Sequence, residues 1–536
     1  MMRRVFLVLL ALCVLQGRRR AEKPRASGVL TVSKELKASW VRNFNPFSPG
    51  GPRWPTRAGI YEPLAIHSSG QDAWVPWLAT SWEIDEDARR VTFTIRDNVR
   101  WSDGEPFGAD DVVYTFNLLL KNRALDMGGL ASFLSTVKKG SGNQVIFEFD
   151  RPYMPGFEDI AGVPIVAQHI WQKVEDPLAY ANPDPVGTGP FTEVLRFTRQ
   201  VFELGKNPHY WQPGKPKVDV LRFPAFIGND QANLALVTGE IDWGGNFVPA
   251  IERTFVERDP EHHRYWFPLT GDTVFLYANA AKTAFKTPAV RKALSMAIDR
   301  ELLVRVAAYD LSRPSDSTAM SDLWKQWKSE SSTTESWVRY DPRKAKEILS
   351  DSGLSGEAFE IVVVSGWSDW VRAAQVIARQ LREVGLDVRV RVLEFTPWMQ
   401  AMQTGDFDLG IGWSLVGATP YRFYRGLMSK KRLTPLGETA SENWHRFGDA
   451  RADTLLGEFE RARTKEEQVA IVKKLSSLFE ELAPAIPLYP NPVWGTYSTK
   501  RFRGFPSNSN PYAALSPNKE PECLLVLTEL EPVGER

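Results

Sequence analysis

Residues Val91–Asn117 read VTFTIRDNVRWSDGEPFGADDVVYTFN, and the fold turns on this stretch. Val91, Phe93 and Ile95 alternate with Thr92, Thr94 and Arg96, the period of a strand with one buried face. Asp103-Gly104 is a tight-turn dipeptide. Gly108 then opens a helix whose first turn holds Asp110 and Asp111 at the positive end of the helix dipole. Val112, Val113, Phe116, Leu119 and Leu120 form its apolar stripe. Local chemistry therefore gives strand, turn and helix, and says nothing of function.

From Thr92 to Phe116 the order of residues resembles, almost position for position, a signature of the extracellular solute-binding proteins of ABC importers, family 5, which includes dipeptide-, oligopeptide- and nickel-binding members. Further signatures of that family follow in the expected order: YEPL at Tyr61–Leu64, VGTGPF at Val186–Phe191, NPHYWQPGKPKVD at Asn207–Asp219 and GEID at Gly239–Asp242. The likeness runs over roughly residues 36 to 515. It implies a two-lobed α/β periplasmic binding protein of type II, of the large class with an extra subdomain in the first lobe and mixed sheets flanked by helices. Residues 28–61, 186–273 and 497–520 would build lobe I, 62–185 the inserted subdomain and 281–486 lobe II. Residues 274–280 and 487–496 would be the hinge crossings.

Composition narrows the partners. Lys+Arg number 66 and Asp+Glu 65, a net charge of +1, so no polyanion-binding surface and no nucleic-acid partner is expected. Cysteine is confined to Cys13 and Cys523, which excludes a CxxC metal or redox site. The six histidines are scattered, so neither metal nor cofactor is expected. Trp is abundant, at 19 residues, and the position of those rings carries the functional reading.

Residues 1–20 have the form of an export signal: Arg3 and Arg4, then apolar Val5–Leu15, well short of the ~20 residues that span a bilayer. The expected location is the periplasm or the outer face of the membrane, with the mature chain starting before Ser27. Leu10–Cys13 approaches a lipobox but has Leu12 before the Cys, and Arg18 follows Leu15-Gln16-Gly17 where a Cys would be needed. Lipid anchoring is left open.

The second half is readable from its caps. Thr287-Pro288 and Asp341-Pro342 start helices. Strand 359–364, helix 369–384, strand 387–394, helix 396–403 and strand 407–413 then make a β-α-β-α-β run, which predicts parallel strands with right-handed crossovers. Thr464 with Glu467 is a capping box for a long last helix.

In open parallel sheets ligands bind at the carboxyl ends of the strands. Here those ends carry SGWSDW (Ser365–Trp370), EFTPW (Glu394–Trp398) and GWSLVGATPYRFY (Gly412–Tyr424). Trp367, Asp369, Trp370, Trp398, Trp413 and Tyr424 are therefore expected at the ligand. The family resemblance adds Trp40, Asn43, Phe44, Asn45 and Phe47 from the loop after the first strand, and Trp243 and Asn246 from DWGGNFVP (Asp242–Pro249).

Peptide-binding members of the family hold the ligand's α-amino group with an acid in the loop corresponding to Ser414–Tyr424, and this loop has no Asp or Glu. The W…NPF start, DWGGNFVP and GWSDW resemble the oligosaccharide branch, whose members take cellobiose and related β-glucans. Physics agrees: covering roughly 80 Å² of a sugar's C–H face with an aromatic ring stabilises by about 2 kcal/mol. The expected function is capture of an oligosaccharide by lobe closure and delivery to membrane permease subunits, by a monomer that is not an enzyme. The alternatives are an oligopeptide ligand and, from another class, a glycoside hydrolase using Asp369 and Glu394.

Overall fold

The computed structural model describes residues 28–48, 56–126, 128–328 and 337–534. The expected export signal, and the end of the Trp40–Pro55 loop, lie outside the described residues.

Strand β1 (Val29–Ser33) starts the first lobe. The chain then leaves it for a hairpin, β2 (Ala65–Ser68) and β3 (Ala73–Pro76), and four further strands, β4 (Ala79–Ile84), β5 (Arg90–Ile95), β6 (Leu134–Lys139) and β7 (Gln144–Phe149). It returns with β8 (Phe191–Phe197), β9 (Val201–Lys206), β10 (Val220–Pro224), β11 (Trp243–Gly244) and β12 (His263–Tyr265). The second lobe holds β13 (Thr273–Ala278), β14 (Ala358–Val364), β15 (Asp387–Leu393), β16 (Leu409–Trp413) and β17 (Ile486–Pro490). Then β18 (Thr496–Ser498) rejoins the first sheet, and β19 (Phe502–Arg503) pairs with β20 (Glu531–Pro532) in the tail.

Beside the two-stranded pairs β2-β3 and β19-β20, three larger sheets form among the described residues. The first runs β12-β18-β11-β1-β10-β9-β8, the inserted one β4-β5-β7-β6, and the third β15-β14-β16-β13-β17. This is the two-lobed α/β architecture expected from the sequence, with its extra subdomain.

The stretch that opened the sequence reading folds as its pattern requires. Val91, Phe93 and Ile95 are buried, and Phe93 stacks on Phe157 at 5.7 Å. Helix Ala109–Lys121 follows with Gly108 as its N-cap. Asp111 is more than a dipole partner. It is buried, and its carboxylate accepts from the amides of Gly108 (3.0 Å) and Gln168 (2.9 Å) and from Trp101 Nε1 (3.3 Å), tying the turn to the starts of two helices.

In the third sheet β14 is parallel to both β15 and β16, as the β-α-β-α-β run predicts. The crossover helices are Ser368–Glu383 and Phe395–Thr404. Gly385 ends the first in the left-handed region, φ 101°, where a side chain would be strained. Thr464 Oγ1 accepts from Glu467 N at 3.2 Å and Glu467 Oε2 accepts from Thr464 N at 3.2 Å, completing the expected capping box of helix Lys465–Leu482.

The connections between the lobes differ from the expected 274–280 and 487–496. β13 is wholly buried and lies between β16 and β17, so residues 274–278 belong to the third sheet. The chain passes between sheets over residues 266–272 and returns over 491–495. The cause is local: the apolar run TVFLYA has no exposed alternation and forms a central strand. Across the two connections Asn491 N donates to Asp272 O (2.7 Å) and Asn491 Nδ2 to Asp272 Oδ1 (2.9 Å).

Candidate functional site

The carboxyl ends of β14 and β16 and the start of helix Phe395–Thr404 bring four tryptophans into one cluster. Trp413 is the last residue of β16, and its ring centroid lies 5.9 Å from Trp367, 6.1 Å from Trp370 and 5.1 Å from Trp398. The sequence reading missed a fifth ring. Trp444 stands edge-on to Trp413 at 5.3 Å, and the segment carrying it has no strand or helix pattern that would have flagged it.

The cluster divides by burial. Trp370 and Trp398 are 2% and 0% exposed, so they support the platform from below. Trp367 and Trp413 are half-buried and keep ring surface free. The Nε1 groups of Trp398 and Trp444 are buried with no hydrogen-bond partner.

Asp369 follows at the N-terminal turn of helix Ser368–Glu383 and is 4% exposed. Burial pushes its carboxyl up to about 6, against the opposing pull of its own helix amides and the Arg372 charge. Arg372 stacks over Phe247 of the first lobe and Tyr309 of the second, each at 5.2 Å. Phe247 meets the inter-lobe residue Trp494 edge-on at 5.3 Å. Tyr489 is fully buried with its hydroxyl unpartnered, and burial, helped by the charges of Asp369 and Asp272, raises its phenol well above the usual range. None of Phe247, Arg372, Tyr489 or Trp494 was anticipated. Each lies in a stretch whose local pattern gives helix, core or loop but no contact with distant segments.

Other expected site residues lie apart from this cluster. Trp40 packs edge-on against Phe202 (5.0 Å), Phe44 against Phe197 (6.0 Å) and Phe47 against Trp171 (5.9 Å), all inside the first lobe. Asn45 Nδ2 donates to Pro177 O and Tyr180 O, and Asn43 Nδ2 to Ser48 Oγ. Trp243 donates to Leu515 O and packs on Phe505, within the first lobe. Asn246 donates to Asn233 Oδ1 at 2.6 Å and precedes Phe247, which does reach the second lobe. Tyr424 is fully buried against Phe423 and Phe479. These positions read as loop in sequence because their burial depends on partners far along the chain.

The lobes touch at two rims around this region. At one, Asn229 N donates to Gly366 O (3.0 Å). At the other, Ala418 N donates to Glu158 Oε1 (2.9 Å) and Arg422 Nε to Asp159 Oδ1 (2.8 Å). The two carboxylates of the hydrolase alternative sit in unlike surroundings. Glu394 is exposed at a helix start while Asp369 is buried.

Among the described residues no helix is long and apolar enough to cross a membrane, and no group of three or more His, Cys, Asp or Glu is placed to hold a metal.

Residues 73–434 match the model of the bacterial extracellular solute-binding proteins, family 5 Middle. The nickel-binding periplasmic protein of Escherichia coli is 27% identical over 66% of this chain and 70% of its own length. A probable peptide ABC transporter periplasmic-binding protein of Sinorhizobium fredii is 25% identical over 88% of this chain and 92% of its own. A crystal structure of a mannohexaose-bound periplasmic oligopeptide-binding protein of an oligopeptide ABC transporter from Thermotoga maritima superposes with a TM-score of 0.86 at 25% identity, covering 95% of this chain and 99% of that one. With the family match spanning most of the chain, the chain belongs to the family 5 extracellular solute-binding proteins of ABC importers.

Proposed function

We propose that the protein captures an oligosaccharide with an apolar C–H face, of the β-glucan type, and presents it in the closed form to membrane permease subunits from the periplasmic or outer side. The observation that carries this reading is the half-buried pair Trp367 and Trp413, backed by the buried rings of Trp370 and Trp398. Flat rings held from behind suit a pyranose face. Each covers roughly 80 Å², worth about 2 kcal/mol. The Asp369 carboxylate supplies an acceptor that hydroxyls need. The mannohexaose bound by the Thermotoga protein is in keeping with this class. No step of this function is chemical: ligand differentially stabilises the closed state, which the permease recognises.

A peptide is the second reading, favoured by Asp369. A buried carboxylate of raised pKa is the kind of group a ligand ammonium would stabilise in its charged form. The two are separated by thermal shift against an oligosaccharide library that includes mannohexaose and cello-oligosaccharides, and against a tripeptide and tetrapeptide library. A melting-temperature rise with saccharides alone supports the first reading. A rise with peptides alone overturns it.

A further inference from the structure

The 414–420 loop leaves β16 directly behind Trp413 and carries no acid of its own. A carboxylate reaches it from the inserted subdomain. Glu158 Oε1 accepts from Ala418 N at 2.9 Å, and a Cβ at Gly417 would stand 2.1 Å from the same oxygen, so only glycine permits this approach. Its neighbour Asp159, with its side chain 1% exposed, pairs with Arg422 of the second lobe and accepts from Tyr153 OH at 3.0 Å. Met154 N donates to Glu460 O at 2.9 Å across the same boundary.

Apart from the Tyr153–Asp159 bond, which lies within the inserted subdomain, these bonds join segments 260 or more positions apart in the chain and cross from the inserted subdomain to the second lobe. They exist only when the lobes are together. A buried carboxylate without its partner is costly, so Asp159 in particular gains its partner by closing.

We propose that Glu158 is a positioning residue of the cleft: by gripping the Gly417–Ala418 backbone beside the Asp159–Arg422 pair, it holds part of the population closed before any ligand arrives. The inserted subdomain is then a clamp on the loop behind the tryptophan platform, beyond its structural part in the first lobe. By reducing the conformational cost of binding, the clamp tightens apparent affinity in proportion to the closed fraction.

The test needs no ligand, so it is independent of the saccharide reading. Small-angle scattering is recorded on the ligand-free wild-type chain, Glu158→Ala, Glu158→Gln and Arg422→Gln, with melting curves as a folding control. Glu158→Ala should raise the radius of gyration, with the open-to-closed ratio increased about tenfold, the scale of losing a hydrogen bond to a charged group. Arg422→Gln should do the same. Glu158→Gln keeps an acceptor for Ala418 N and should fall between wild type and Glu158→Ala, whereas a purely structural role would change the melting temperature and leave the radius unmoved. If Glu158→Ala does not fold, Glu158→Gln carries the test. Identical radii in wild type and every folded variant overturn the proposal.

Discussion

Trp367 and Trp413 stand 5.9 Å apart with their planes inclined at 36°, although one precedes a helix and the other ends a strand 46 positions later. Parallel pairing of β14 with β16 brings them together, since it sets the carboxyl ends of both strands on the same edge of the sheet.

This separation of supporting and exposed rings makes a differential prediction. Trp367→Ala and Trp413→Ala should weaken mannohexaose or cello-oligosaccharide binding by about 1–3 kcal/mol, the scale of one large apolar contact. Trp398→Ala should instead destabilise the fold by about 3–5 kcal/mol, because its ring is fully enclosed. Titration calorimetry and denaturant melts on all three separate the roles. Unchanged affinity in the first two would remove the platform from the binding site.

Asp369 gives a pH signature with two opposite signs. Its folded carboxyl sits at about 6, above the ordinary value of 3.8. Its stability contribution is therefore fully present below pH 3.8 and is lost as pH rises through 6. A hydroxyl donating to the carboxylate favours the charged form, so ligand affinity should fall as pH drops below 6, by up to about tenfold per pH unit. Asp369→Asn should abolish both trends. Titrations from pH 4.5 to 8 on the two proteins check this, and a pH-independent wild-type affinity would detach Asp369 from the ligand.

The fold was legible where local pattern and tertiary environment agree. Alternation at Val91–Ile95, the Pro-started helices and the capping box at Thr464 each specify an element without distant partners. The site was legible only in part. Loops at the carboxyl ends of parallel strands announced Trp367, Trp398 and Trp413. Phe247 and Arg372 escaped because they come from different lobes, and no sequence period encodes a contact between segments so far apart in the chain. The packing of Trp40 and Phe47 was hidden for a related reason: a Pro- and Gly-rich loop looks exposed, while here these rings pack on Phe202 and Trp171.

Glu62, the acid of the YEPL motif, should govern part of the stability profile. It is fully buried, with Oε1 accepting from Trp77 Nε1 (2.7 Å) and Tyr210 OH (3.1 Å) and Oε2 from Trp211 Nε1 (3.1 Å). Burial outweighs these donors and pushes the carboxyl from 4.5 to about 7. The folded state then holds a proton that the unfolded chain has released, so stability is greatest below pH 4.5 and declines as pH rises through 7. The decline attributable to this one group is about 3 kcal/mol by linkage. Glu62→Gln should flatten that decline relative to wild type. Denaturant melts at pH 5 and pH 8 on both proteins measure it, and equal pH slopes would refute the assignment.

The second rim offers a steric test of closure. Gly228 has φ −166°, extended backbone open to any residue, so replacing it strains nothing locally. A Cβ there would nevertheless stand 2.9 Å from Gly366 Cα of the other lobe, closer than packed atoms allow. The clash exists only where the rims meet, beside the Asn229 N–Gly366 O bond of 3.0 Å. Gly228→Ala should therefore penalise the closed form alone, by about 1–3 kcal/mol of overpacking, which is roughly 5- to 150-fold in ligand affinity. Most of the loss should appear as faster dissociation, since an ajar cleft releases its ligand sooner. Small-angle scattering with saturating mannohexaose should show the wild-type chain contracting and Gly228→Ala contracting less at equal occupancy. Equal contraction and equal dissociation rates in the two would mean that this rim does not close on the ligand.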